Sequence, residues 1–254
     1  MSEADDFGRR FGTVADQYDE ARPSYPDEVF DALDDVIGGL AGCLIVDLAA
    51  GTGLQTRTLV ARGAHVIAVD ADHAMLMRLR SRSPDVPAVV GRSERLPLRD
   101  GVADVVTCAT AWQWLPTDET TAEVARVLRP GGHLALWWAV SPFGDGIEWE
   151  DAQSAVIERW DQEYGARPDP PGSRPSDAVD DLRARGVDVV FVREFAWTRS
   201  VTRAEHLRTI ATYSPQLARP EDERRALLAE IDAALAPWPV VDQRWWGPLV
   251  VARF

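Results

Sequence analysis

Lysine is missing from this sequence: all 27 basic residues among its 254 are arginine, set against 41 acidic residues for a net charge of −14. So acidic a surface repels phosphate backbones at long range and argues against a nucleic-acid partner. Cysteine is scarce as well. Cys43, at the edge of one expected strand, and Cys108, at the end of another, read as small core residues and not as a disulfide or metal pair. No apolar run approaches the ~20 residues that span a bilayer, and Met1-Ser2-Glu3-Ala4-Asp5-Asp6 is acidic where a signal segment would be basic. A cytoplasmic protein with no membrane partner is expected. There is no P-loop, no G-x-S-x-G elbow and no His, Cys and carboxylate spacing that suits a metal, so no metal is expected. With 46% hydrophobic residues the chain can bury one full α/β core with insertions, as a monomer or homodimer.

What is present centres on Val46-Asp47-Leu48-Ala49-Ala50-Gly51-Thr52-Gly53. Leu44 to Leu48 has strand character, and Leu54 to Ala61 can run as a helix stopped by Gly63. A strand, a tight small-residue turn and a helix N-terminus form a concave set of backbone N–H groups for the polar part of a nucleotide-like ligand. A dinucleotide fingerprint would need a third small residue where this run has Thr56. Asp47, at the end of the strand, can accept from turn N–H groups or from a ligand ammonium.

Further strands are expected at Ala64 to Val69, Pro87 to Val90, Ala103 to Cys108, Leu134 to Val140, Val189 to Phe195 and Pro248 to Phe254. Asp70 ends the second, where an acid lies beside a bound ribose in a doubly wound sheet. Helices are expected at Asp27 to Ile37, Glu119 to Leu128, Ala204 to Ala211 and Glu221 to Leu235. The segment before Pro26 is polar and broken by proline. Ser141 to Arg185, with the loop Pro168-Asp169-Pro170-Pro171-Gly172, and Thr202 to Trp246 exceed what the sheet needs. They read as a cap that selects a substrate, and six of the ten tryptophans fall in the region after Val140. Glu148 and Glu150 read as a solvated acidic patch.

Four segments in order, "Y-D-E-A-R-P-S-Y-P" from Tyr18, the glycine turn with Asp70 downstream, "G-R-S-E-R-L-P-L" from Gly91 and "A-R-V-L-R-P-G-G" from Ala125, resemble the class I S-adenosylmethionine (SAM) dependent methyltransferases. The resemblance implies an α/β, Rossmann-like seven-stranded sheet, mostly parallel with the last strand antiparallel, and helical cap insertions. It divides the chain into an arm and helix covering the cofactor at 1–40, a SAM-binding core at 41–140, a first cap insertion at 141–187, and last strands at 188–254 with a helical insertion at about 202–246. SAM would be the cofactor and S-adenosylhomocysteine the product. Tyr18 and Arg22 would cover the methionine moiety, and Asp47, Ala49, Gly51, Thr52 and Gly53 would form the turn beneath it. Asp70 would hold the ribose, Ala71, Met75, Ser93 and Glu94 would bind the cofactor on its adenine side, and Thr110 would stand near the transferred methyl. The acceptor would be a small metabolite or natural product, methylated on oxygen or nitrogen.

The chain departs from the family pattern at Ala49 for glycine, Arg92 for aspartate and Gln113 for histidine. The last departure removes a general base, because an amide takes no proton near neutral pH. Methyl transfer from a sulfonium needs alignment above all, so the substrate-side candidates reduce to Trp112, Gln113 and His206, with His206 the one histidine in the cap. Two other readings stay open: a SAM-binding protein that transfers no methyl group, and a methyltransferase acting on a macromolecule.

Overall fold

Seven strands carry the framework: β1 (Leu44–Leu48), β2 (His65–Asp70), β3 (Ala88–Val90), β4 (Ala103–Ala109), β5 (Leu128–Trp137), β6 (Asp188–Thr202) and β7 (Val240–Arg253). The computed structural model describes residues 12, 14–141, 146–166 and 175–254. The strands form one sheet in the order β3-β2-β1-β4-β5-β7-β6. β1 to β5 run parallel, and β7 enters antiparallel between β5 and β6. The mostly parallel sheet with one antiparallel strand is the architecture the motif resemblance implies.

Helices cover both faces, as a sheet whose central strands are apolar on both sides requires. α1 (Ala15–Ala21), α2 (Asp27–Ile37), α3 (Leu54–Ala61) and α4 (His73–Arg82) precede β3, and α5 (Thr117–Val127) follows β4. Phe30 and Leu33 of α2 and Leu59 of α3 are buried with Ile45, Val66, Trp137 and Val251 on one face. Val124 and Val127 of α5 are buried with Val46, Val106 and Leu134 on the other. Side-chain alternation along the strands makes this division, and each fully buried Leu, Ile or Phe adds roughly 1.5–3 kcal/mol. Helix ends follow local chemistry: Gly38 closes α2 in the left-handed region at φ +82°, and the Asp72 carboxylate caps α4 by accepting from Ala74 N at 2.7 Å.

The rest of the chain comprises α6 (Glu148–Tyr164), α7 (Pro175–Ala184), α8 (Arg203–Ala211), α9 (Ser214–Leu217) and α10 (Glu221–Ala234). α6, α8 and α10 pack together with a core of their own, including Trp149, Trp160, Ile210, Leu227 and Ile231, and form the cap. α7 does not belong to it. Ala178 and Leu182, one helical turn apart, are buried in the main core, so α7 is a sheet-covering helix and only α6 of the first expected insertion is cap.

Several expected boundaries move. β6 and β7 are 15 and 14 residues long, about twice the expected lengths, because beyond β5 they continue as a two-stranded antiparallel ribbon up to Thr202 opposite Val240. There the sequence is polar, with Thr198, Arg199, Asp242 and Arg244, so no apolar run marks it. β5 begins at Leu128, six residues earlier than expected, with "R-P-G-G" inside it at a register shift against β4. The arm contains a helix, α1, that its polarity conceals. Ion pairs hold it down: Asp19, 4% exposed, meets Arg57 at 2.8 Å, Arg78 at 3.3 Å and Arg82 at 3.4 Å. The expected loop Pro168 to Gly172 and the arm before Gly12 lie outside the described residues.

Candidate functional site

The turn from β1 into α3 holds three left-handed residues, Ala49 at φ +53°, Gly51 at +56° and Gly53 at +83°. Glycine adopts this region freely, whereas alanine does so at about 1–2 kcal/mol. Ala49 thus keeps the backbone shape that the family's glycine supplies. A Cβ on Gly51 would meet nothing within 4 Å, so open space lies above the turn. A Cβ on Gly53 would meet Leu79 Cγ at 2.8 Å, so there glycine lets α3 and α4 approach.

Two carboxylates flank the turn with different roles. Asp70, at the carboxyl end of β2, accepts from Gly51 N at 2.8 Å through one oxygen and from Asp72 N at 2.8 Å through the other. Its enclosure raises its pKa to about 6. Asp47 does not meet the turn N–H groups or open space, as its position in sequence suggested. It is fully buried and accepts from the side chains of Gln55, Thr56 and Thr107, the last at 3.1 Å. Burial pushes its pKa up to about 7. One residue further into the strand than the turn begins, its side chain points beneath the turn, which it braces. Thr52 is also buried, and its hydroxyl oxygen has no partner among the described residues.

On the expected adenine side, Ala71 is exposed and Met75 is buried in the core. Ser93 is buried, and its Oγ accepts from Thr120 of α5 at 2.9 Å. Glu94 turns its carboxylate to Arg92, so the cation at the aspartate position is neutralised within the same loop.

At the exit of β4 stands Thr110, a β-branched residue at φ +50°. Such a conformation persists only where its surroundings fix it. Tyr25 Oη lies 2.8 Å from Thr110 Oγ1, Ala139 N donates to that oxygen at 3.1 Å, and Thr110 N donates to Trp137 O at 2.8 Å. Tyr25, though part of the arm motif, was not among the expected site residues. Gln113 accepts from Trp138 Nε1 at 3.0 Å and donates to Thr110 O at 3.4 Å, so its amide braces the same loop.

Two substrate-side candidates lie inside cores. Trp112 is 3% exposed within the main core, because the short 3-10 turn Trp112–Trp114 rotates its ring inward. His206 is 2% exposed inside the cap, its Nε2 2.6 Å from Gln153 Oε1 and its Nδ1 2.8 Å from Gln243 Nε2, against the edge of Trp149. Burial lowers its pKa to about 4, and it faces the cap interior. Glu150 is likewise no solvated residue. It is 1% exposed and paired with Arg244, whose Nε lies 3.0 Å from its carboxylate.

The arm lies across the ligand-facing end. Gly12 passes so near Asp72 that a Cβ would come within 2.2 Å of its carboxylate. Arg22 donates from Nε to Thr212 Oγ1 and from Nη2 to Thr212 O, both at 3.0 Å, and stacks on Tyr213 and Tyr18. It thereby ties the arm to the cap. Beneath the arm opens a cavity of about 560 Å³, lined by Arg22, Tyr25, Pro26, Leu54, Trp197 and Arg199 among others. Trp197 and Arg199 lie on the part of β6 that the expected boundaries left out. Among the described residues, no three His, Cys, Asp or Glu residues gather where they could hold a metal, and no helix is long and apolar enough to cross a membrane.

A switch in strand order beside β1, a left-handed turn at its end and an acid closing β2 define a doubly wound sheet that binds a nucleotide-like group at its carboxyl edge. Residues 46–136 match the family model described as a methyltransferase domain. A methyltransferase-like protein of Schizosaccharomyces pombe is 30% identical over 225 residues, 88% of this chain and 85% of its own. The chain belongs to the class I SAM-dependent methyltransferases. A methyltransferase of Mycobacterium tuberculosis is 44% identical over 133 residues, and the matched part spans 52% of this chain and only 53% of that relative. A solved structure from Anaeromyxobacter dehalogenans, described as a candidate type II methyltransferase, is 25% identical with a TM-score of 0.67, covering 91% of this chain and 97% of its own.

Proposed function

We propose that this protein binds SAM at the β1–α3 turn and transfers its methyl group to oxygen or nitrogen of a small molecule. The observation that carries the reading is the Asp70 carboxylate, fixed by Gly51 N and Asp72 N at 2.8 Å each beside the open space above Gly51. Each carboxylate oxygen has a second lone pair for a ribose hydroxyl. Tyr18 and Arg22 cover the methionine end, and Thr110, held by Tyr25, forms the floor at the β4 exit. Ala71, Ser93 and Glu94 border the adenine, with backbone groups taking the part that the family's aspartate side chain would play at Arg92.

Bound SAM supplies a methyl group on a sulfonium sulfur, so the chain's task is alignment. No histidine stands at the floor of the site. His65 begins β2, His73 begins α4 on the adenine side, His133 lies within β5, and His206 is enclosed in the cap. An acceptor whose nucleophile is a carboxylate or a neutral amine needs no base and suits this floor. The cavity of about 560 Å³ and the net charge of −14 favour a small acceptor over a nucleic acid.

Calorimetric titration with SAM tests the reading, with NAD as the control. Asp70→Ala is expected to weaken SAM binding by one or two hydrogen bonds to a charged acceptor, about 1.5–3 kcal/mol each. Unchanged affinity in the variant would remove the ribose role, and S-adenosylhomocysteine release in the presence of an acceptor panel would report transfer.

A further inference from the structure

We infer that the cavity beneath the arm receives an acceptor anchored by a carboxylate, with Arg199 as its counter-ion. The inference rests on the methyl-transfer reading for the acceptor's role, and on the cavity alone for its chemistry. In a chain with 41 acids and 27 arginines, the charged side chains lining this cavity are Arg22 and Arg199, with no acid among the lining residues. Arg22 is already committed to Thr212 and to the rings of Tyr213 and Tyr18. The Arg199 guanidinium makes no hydrogen bond and no ion pair among the described residues, and acts only at longer range on the Glu205 carboxylate. Two residues before it, on the same face of β6, Trp197 also lines the cavity, and its buried indole N–H has no partner among the described residues.

An unpaired guanidinium beside an orphan N–H, walled by Leu54, Pro26 and the Tyr25 ring, matches a ligand with one planar anionic group and an apolar body. A carboxylate accepts two parallel bonds from the edge of a guanidinium. A phosphate monoester carries about two charges, which a single uncommitted arginine leaves half neutralised. The volume of about 560 Å³ suits a small molecule. The Tyr25 hydroxyl, 2.8 Å from Thr110 Oγ1, joins the cavity wall to the β4 exit, where the methyl group would be delivered.

The test is calorimetry on protein saturated with S-adenosylhomocysteine, using 3-phenylpropionate, its carboxamide and 2-phenylethyl phosphate as probes. The acid is expected to bind at least about tenfold more tightly than the amide. Arg199→Gln is expected to erase that difference while leaving S-adenosylhomocysteine affinity unchanged. Equal binding of acid and amide, including binding of neither, overturns the inference. So does a difference that survives in Arg199→Gln, or a phosphate ester that binds more tightly than the acid. The S-adenosylhomocysteine titration, run first, reports separately on the cofactor site. If it shows no binding, the methyl-transfer reading fails, and the same acid and amide comparison on the unliganded protein decides the cavity.

Discussion

A buried acid braces the cofactor turn, and its protonation ties stability to pH. Asp47 accepts from three side chains, yet burial raises its pKa to about 7. The buried Gln55 Oε1 has no partner among the described residues. With its amide turned over, Gln55 offers that oxygen to a protonated Asp47, so the neutral acid satisfies what the ionised one leaves unpaired. In the unfolded chain an aspartate titrates near 4. Between about pH 4 and pH 7 the folded chain therefore keeps a proton that the unfolded chain has released, and stability falls as pH rises through that window. Thermal unfolding of the wild type is expected to show this decline at up to roughly 1.4 kcal/mol per pH unit, and Asp47→Asn to flatten most of it. A decline of equal slope in the variant would assign the effect to Asp70 instead. Trp112 gives a second residue-scale prediction. As a core residue, its replacement by alanine should cost about 3–5 kcal/mol, read as a lower urea midpoint, because the cavity left in the main core collapses only in part. A loss under 1 kcal/mol with impaired turnover would return it to the substrate side.

Among the elements, α1 is held by electrostatics where the others are held by apolar burial. Its buried residues are Ala15 and Ala21, and its grip comes from Asp19 among Arg57, Arg78 and Arg82, with Asp16 and Glu20 adding pairs to Arg78. Surface ion pairs are worth little, but an acid 4% exposed among three arginines is a network. Asp19→Ala is expected to speed amide exchange over residues 15–21 by about tenfold, a local opening easier by about 1.4 kcal/mol, while the sheet keeps its protection. Exchange that rises equally in β4 and β5 would mean that α1 supports the whole fold. The difference in grip also explains what the sequence conceals. β1, β2 and β4 are legible because apolar runs and glycine turns encode them directly. α1 and the outer ribbon of β6 and β7 are not, because charge pairing and a partner strand hold them, and both depend on residues far along the chain. The site divides in the same way. Asp70, Gly51 and Gly53 could be placed from spacing. The enclosure of Asp47, Trp112 and His206 could not, since it depends on which way one short turn or one helix faces.

At the scale of the molecule, the arm and the cap, far apart along the chain, meet at the carboxyl edge of the sheet. Arg22 near the start bonds Thr212, 190 positions later, across that end. The same arm reaches Asp72 beside Asp70 and forms a wall of the cavity proposed for the acceptor. On the proposed placement of cofactor and acceptor, one segment serves two compartments, and this bears on the sequence of events in a catalytic cycle. Exchange of the nucleotide would then lift the arm, and lifting it would dismantle the cavity. With the acceptor in place the arm would stay down, so the nucleotide would exchange only before the acceptor enters and after the product leaves. Turnover is expected to follow a compulsory order, nucleotide first to enter and last to leave. In steady-state kinetics S-adenosylhomocysteine should then compete with SAM alone, and the methylated product with neither substrate; a random-order pattern would mean that the arm lets the two compartments fill independently.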